Sequence, residues 1–167
     1  MTKLTGLTIH AVGLTTRKAR GEAAEAAFLA KAASLGFGVA KPWGDSEPYD
    51  FILDSGHNFW RVQIKSTSYI VGSRYQVRPG GYKNTYTADQ IDFLIAYIVP
   101  EDLWYVVPVA EVVSHRALRF YPHRGAHARL EKYRDAWCQM ACPRTEKGAS
   151  RVLVPRRCAR DGDCPVR

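Results

Sequence analysis

Apolar and polar positions alternate through residues 49–54 and 59–66, and the two alternations are in step across the Gly56-His57 pair between them. If that pair closes a two-residue hairpin, Tyr49 faces Ile64, Phe51 faces Val62 and Leu53 faces Trp60, giving one continuous apolar face. A slip of one residue would turn that face to solvent, so burial specifies the register. Gly at the first turn position suits a type II′ geometry. Upstream, Thr15 or Thr16 caps a helix that runs through Leu35 and stops at Gly36. Its alanine-dense middle, Ala23 to Ala33 with Phe28 and Leu29, suits close packing on a sheet. Residues 37–41 read as a first strand and Pro42 to Pro48 as a loop.

The segment 68–86, rich in Gly, Tyr, Arg and Lys, reads as an irregular excursion or a second hairpin. The near-continuous apolar run Ile91–Val99 has the character of a central strand buried on both faces. Pro100-Glu101-Asp102 makes a turn, Leu103 to Val107 returns, and Val109 to Ser114 forms a short helix. Leu130, Tyr133, Trp137 and Met140 fall at helical spacing and predict a second helix over Ala126–Met140. Residues 1–14 lack periodicity and read as a frayed end; beyond Cys142, Pro and Arg dominate an extended or partly disordered segment. The expected organisation is one domain over 1–142 and a basic tail over 143–167.

Composition changes this picture little: 46% hydrophobic and 24% charged residues in 167 suit a globular chain with a proper core. The longest strongly apolar stretch, Phe93 to Val99, is too short to cross a bilayer, and Met1 to Gly13 lacks the pattern of a secretion signal. No membrane association and a cytoplasmic location are therefore expected. Charge changes it more. Residues 1–114 carry eleven basic and eleven acidic side chains, whereas 115–167 carry thirteen and five, so the last third supplies the whole net charge of +8. That asymmetry points to a polyanionic partner such as nucleic acid, or to a solubilising tail. Cys138, Cys142, Cys158 and Cys164, with His123 and His127, have spacings looser than zinc ribbons use, so a structural Zn²⁺ is not expected.

The candidate chemistry lies on the hairpin's other face. Asp50 is as far from the turn as Gln63, so the two oppose each other, and Lys65 returns to the same face two residues on. A carboxylate, an amide oxygen and an ammonium converging on one spot suit a metal ion and a phosphate. These residues, with Gly21-Glu22 opening the first helix and Pro48-Tyr49-Asp50 leading into the second strand, resemble the PD-(D/E)xK nuclease superfamily. The Gln63-Ile64-Lys65 ending is similar to the branch of group I intron homing endonucleases, and the likeness spans about residues 17 to 110. Tyr49 inserted between Pro48 and Asp50, and glutamine in place of the usual acid, depart from the pattern.

The resemblance implies a restriction-endonuclease-like α/β/α sandwich around a central mixed β-sheet, and hydrolysis of DNA phosphodiesters with Mg²⁺, for which Mn²⁺ substitutes. It casts Asp50, Gln63, the Ile64 backbone carbonyl and Glu22 as oxygen ligands, hard donors of the kind Mg²⁺ prefers. Lys65 would stabilise charge growing on the phosphoryl oxygens while the ion activates water. Glu25, one turn on from Glu22, reads as a surface acid or a substitute for it. Each residue also has a plain structural reading: Glu22 as a helix-start acid, Asp50 as a strand-end polar residue, Lys65 as a solvated edge lysine. Ser66, Thr67, Arg74, Arg78, Tyr82 and Lys83 supply hydroxyls, cations and a ring for a DNA-facing surface, or for a hydrated hairpin.

The functional expectation is a Mg²⁺-dependent endonuclease acting on double-stranded DNA. A homo-oligomer, dimer or tetramer, is expected because two strands present two scissile phosphates. A Holliday-junction-resolvase or restriction-like nuclease uses the same pattern. A catalytically silent DNA-binding protein on this scaffold is the alternative of a different class.

Overall fold

A hydroxyl sets the start of the first helix. The structure, a computed structural model, describes residues 16–80 and 85–141. In it the Thr16 side chain accepts the Ala19 backbone N–H at 3.1 Å, satisfying one of the donors a helix start leaves open. Helix α1 then runs Arg17–Ser34 and buries Ala24, Phe28 and Ala32, a stripe with a spacing of four. After Gly36 the chain enters β1 (Gly38–Ala40), β2 (Phe51–Asp54) and β3 (Phe59–Thr67). A small hairpin, β4 (Ile70–Val71) and β5 (Arg74–Val77), precedes β6 (Phe93–Ile98) and β7 (Leu103–Pro108). Helix α2 (Val109–Val112), strand β8 (Leu118–Phe120) and helix α3 (Cys138–Ala141) complete the described chain.

The central sheet has the order β1-β2-β3-β6-β7, with β3 and β6 parallel and every other pair antiparallel. It is a mixed α/β sheet of the restriction-endonuclease-like kind. All six residues of β6 are buried, as a strand covered on both faces requires. Phe93, Ile95 and Tyr97 join α1 in one core with Phe51, Leu53, Trp60, Val62 and Ile64. Leu94, Ala96 and Ile98 face a second core beneath α2 and the β4-β5-β8 sheet. Phe28 lies 5.2 Å from Phe51 in the first core, a burial that contributes roughly 2–3 kcal/mol. Tyr97 stacks on Trp104 at 3.9 Å, and the Trp60 indole N–H donates to the Met140 carbonyl at 2.8 Å, pinning α3 to the sheet.

Burial does specify the hairpin. Phe51 pairs with Val62 and Leu53 with Trp60, the Ser55 N–H donates to the Asn58 carbonyl, and Gly56 takes φ +79°, open to a residue without Cβ. Tyr49 differs from the expectation. It packs against the second core, not on the Ile64 face, because pairing begins at Phe51 and Pro48 has no N–H to extend the ladder. The expected helix over Ala126–Met140 is also absent. Two 3-10 turns, Gly125–His127 and Glu131–Tyr133, take its place, and Asp135 at φ +44° donates its N–H to the Trp104 carbonyl at 2.8 Å. Leu130 and Tyr133 enter the second core, Trp137 and Met140 the first, so the spacing of three and four marks a chain crossing the edge of β7.

One contact sets the parallel register. Asp92 accepts the Arg61 backbone N–H at 2.9 Å and its guanidinium at 3.2 and 3.3 Å, while the Asp92 N–H donates to the Arg61 carbonyl at 2.9 Å. The same guanidinium reaches the carbonyls of Ala88 and Asp89. This clamp holds Val62 opposite Phe93, which in turn puts Gln63 beside Leu94 and Lys65 beside Ala96. No described helix is long and apolar enough to cross a membrane.

Candidate active site

Asp50 sits one residue before β2, where its N–H still donates to the Val62 carbonyl at 2.9 Å. That bond turns its carboxylate onto the next pair along β3. Oδ2 accepts the Ile64 backbone N–H at 2.7 Å and the Gln63 amide at 2.5 Å. The same Gln63 Nε2 donates to the Ile64 carbonyl at 3.2 Å. Gln63 is the buried polar side chain of the described core, 6% exposed. Its amide nitrogen therefore lies between two oxygens that both seek positive charge. Lys65 projects from the same face of β3, half-buried, with its ammonium 5.9 Å from the centre of the Tyr86 ring.

The electrostatics favour a cation here. Burial pushes the Asp50 carboxyl above its ordinary value, and the charge of Glu25 adds to that; the Ile64 N–H, Lys65 and Gln63 pull the other way without offsetting it. Burial also raises the Tyr86 phenol, helped by the negative charge of Asp50. A carboxylate disfavoured by its surroundings, beside a peptide oxygen and a primary amide, is a set of hard oxygen donors short of one positive partner. The residues thus fit a divalent ion of the Mg²⁺ class. Among the described residues no three His, Cys, Asp or Glu side chains cluster, so such an ion would rest on Asp50 and neutral oxygens.

The helix acid whose charge is felt at Asp50 is Glu25, not the Glu22 that the sequence favoured. Glu22 is 63% exposed, 3.9 Å from Lys18 on its own helix. Glu25 is 25% exposed, holds the Lys41 ammonium at 2.8 Å, and its charge is felt at Asp50. Helix geometry explains the exchange. At about 100° per residue, Glu25 lies roughly 60° from the centre of the buried Ala24-Phe28-Ala32 stripe and Glu22 roughly 120° away. From the sequence, Glu25 is a surface acid or a substitute for Glu22, and the buried stripe carries the signal that separates the two. Lys41, raised by its hydrogen bond to Glu25, and Tyr86 lie beside these residues, and Lys41 was not among those the sequence singled out.

The other expected contacts are dispersed. Ser66 and Thr67 end β3, half-buried, with the Thr67 hydroxyl 3.5 Å from the Tyr69 carbonyl. Arg74 lies half-buried on β5 and Arg78 is exposed just beyond it. Tyr82 and Lys83 lie outside the described residues, as do Cys142, Cys158, Cys164 and the tail 143–167.

Comparison with known proteins bears on the family and the fold. The family model of the PD-(D/E)XK endonuclease matches residues 15–140. The bacterial homing endonuclease I-Ssp6803I, a solved structure, superposes with a TM-score of 0.65 at 29% identity, over 75% of this chain and 91% of its own. No curated protein matches.

Proposed function

The chain belongs to the PD-(D/E)XK endonuclease family, and from there we propose that it is a divalent-metal-dependent enzyme hydrolysing phosphodiester bonds of double-stranded DNA, in the manner of a homing endonuclease. One observation carries the reading: the Asp50 carboxylate, the Gln63 amide and the Ile64 peptide group meet within hydrogen-bonding distance, with Lys65 next on the same face. Asp50, the Gln63 side-chain oxygen and the Ile64 carbonyl would hold the ion, with Glu25 rather than Glu22 as the further acid. Half a turn of the Gln63 amide exchanges its nitrogen for its oxygen. The nitrogen satisfies Asp50 and Ile64 when no cation is bound, and the oxygen serves when one is. The chemistry Mg²⁺ or Mn²⁺ supplies when bound is polarisation of the phosphate and activation of water. Lys65 offsets charge gathering on the phosphoryl oxygens. The enzyme acts as a homo-oligomer so that two such sites reach two strands, and residues 143–167 add phosphate contacts.

A nicking assay on covalently closed plasmid tests this. The protein should convert it to open circles in Mg²⁺ or Mn²⁺ and do nothing in EDTA; activity that persists in EDTA rejects the reading. Because half-buried Asp50 is joined mostly by neutral oxygens, half-maximal activity should need on the order of millimolar Mg²⁺. The requirement should rise once pH falls toward the carboxyl range, since Asp50 must lose its proton to bind and burial holds that proton above its ordinary value. Micromolar Mg²⁺ binding without DNA, or a requirement that does not rise in acid, would count against it.

A second comparison separates the two helix acids. Glu25→Gln should slow nicking by roughly tenfold or more, since the helix acid whose charge is felt at Asp50 is lost, while Glu22→Gln stays within about twofold. Equal losses in both variants would return Glu22 to the site.

A further inference from the structure

Trp43 leaves its indole 99% exposed, whereas the other three tryptophans of the chain, Trp60, Trp104 and Trp137, are at most 4% exposed. It stands on the loop between β1 and β2, and both ends of that loop are tied to the site. Two residues before it, Lys41 holds Glu25 at 2.8 Å and lies 5.7 Å from the centre of the Phe51 ring. Seven residues after it comes Asp50. Gly44, at φ +73°, turns the chain immediately past the indole.

The surroundings decide what such a ring meets. A protein contact needs about 800 Å² on each partner around an apolar centre. Here Lys41, Gly44, Asp45, Ser46 and Glu47 are all exposed, so one large ring stands in a polar loop. Asp45 and Glu47 would repel a phosphate backbone at close range, which leaves the base stack as the part of a duplex this loop can touch. A single aromatic face suits stacking on a base or wedging at a base step, and either accepts any sequence. We infer that Trp43 is a base-contacting ring that engages the duplex next to the scissile phosphate; this rests on the nuclease reading above. Its part is to position DNA over Asp50 and Lys65, without touching the reacting atoms.

The burial of the other tryptophans makes the test clean, because acrylamide reaches Trp43 alone. The full chain is titrated with a fluorescently labelled mixed-sequence duplex in Ca²⁺ and low salt, and both label anisotropy and tryptophan quenching are read. Bound duplex should abolish the acrylamide-accessible emission. Trp43→Phe should keep the affinity within about threefold, and Trp43→Ala should lose roughly tenfold with an unchanged melting temperature. Binding with the indole still accessible overturns the inference and leaves the nuclease reading standing. Absence of duplex binding overturns both. Shielding that grows with protein concentration before DNA is added assigns the ring to a second copy of the chain and overturns the inference.

Discussion

Asp50→Asn should abolish DNA cleavage and, with no divalent ion in solution, raise the melting temperature at neutral pH. Both effects come from one carboxylate. Its pKa is pushed up by burial and by Glu25, so the folded protein holds the Asp50 proton more tightly than the unfolded chain does. Ionised Asp50 therefore costs stability. The cost is complete above the raised pKa and vanishes as pH falls through the window down to the ordinary carboxyl value of 3.8. Asparagine removes the charge and keeps an oxygen for the Ile64 N–H, while Gln63 turns its own oxygen to the new amide nitrogen.

Without the Asp50 charge an ion is left with the neutral donors and Glu25, and cleavage should fall at least about a thousandfold. Lys65→Ala should lose roughly a hundredfold to a thousandfold while DNA affinity stays near wild type. Plasmid nicking, duplex binding and melting curves with and without Mg²⁺ read all of these. Added Mg²⁺ should raise the melting temperature of the wild type and leave that of Asp50→Asn unchanged. Wild-type cleavage by Asp50→Asn would remove the proposed centre, and a lower melting temperature in EDTA would make Asp50 a structural acid.

Asp92→Ala should do the reverse, losing about 3 kcal/mol of stability with cleavage falling only as the folded fraction falls. Asp92 accepts the Arg61 backbone N–H and its guanidinium at the point where β3 and β6 begin to run parallel. The pair is largely sheltered, with side-chain exposures of 14% for Asp92 and 30% for Arg61. Removing the acid leaves a cation and a peptide N–H without that acceptor. Urea unfolding measures the loss. A change below about 0.5 kcal/mol would place Asp92 with exposed ion pairs of little value.

The central features were legible because burial leaves few alternatives. Phe51, Leu53, Trp60 and Val62 can share the α1 face in one register only, and that register brings Asp50 to Gln63. Periodicity fails where the chain leaves regular pairing. Tyr49 belongs to the alternation on paper, yet Pro48 breaks the ladder before it and the ring turns to the opposite core. Leu130, Tyr133, Trp137 and Met140 repeat like a helix stripe, but Asp135 reverses the backbone and divides them between two cores. Leu118-Arg119-Phe120 is too short to announce a strand and becomes one only by pairing with β5. For the helix acid, the motif pointed to Glu22, whereas the buried stripe faces Glu25 toward Lys41 and Asp50.

The most direct test of the proposed centre is a crystal of the protein with duplex DNA and Mn²⁺, measured at a wavelength where manganese scatters anomalously. The ion should lie between the Asp50 carboxylate and the Ile64 carbonyl, with the Gln63 oxygen turned to it and Lys65 on the adjoining phosphate. Manganese bound elsewhere, or a phosphate held against another surface in a protein that cleaves DNA, would contradict the assignment.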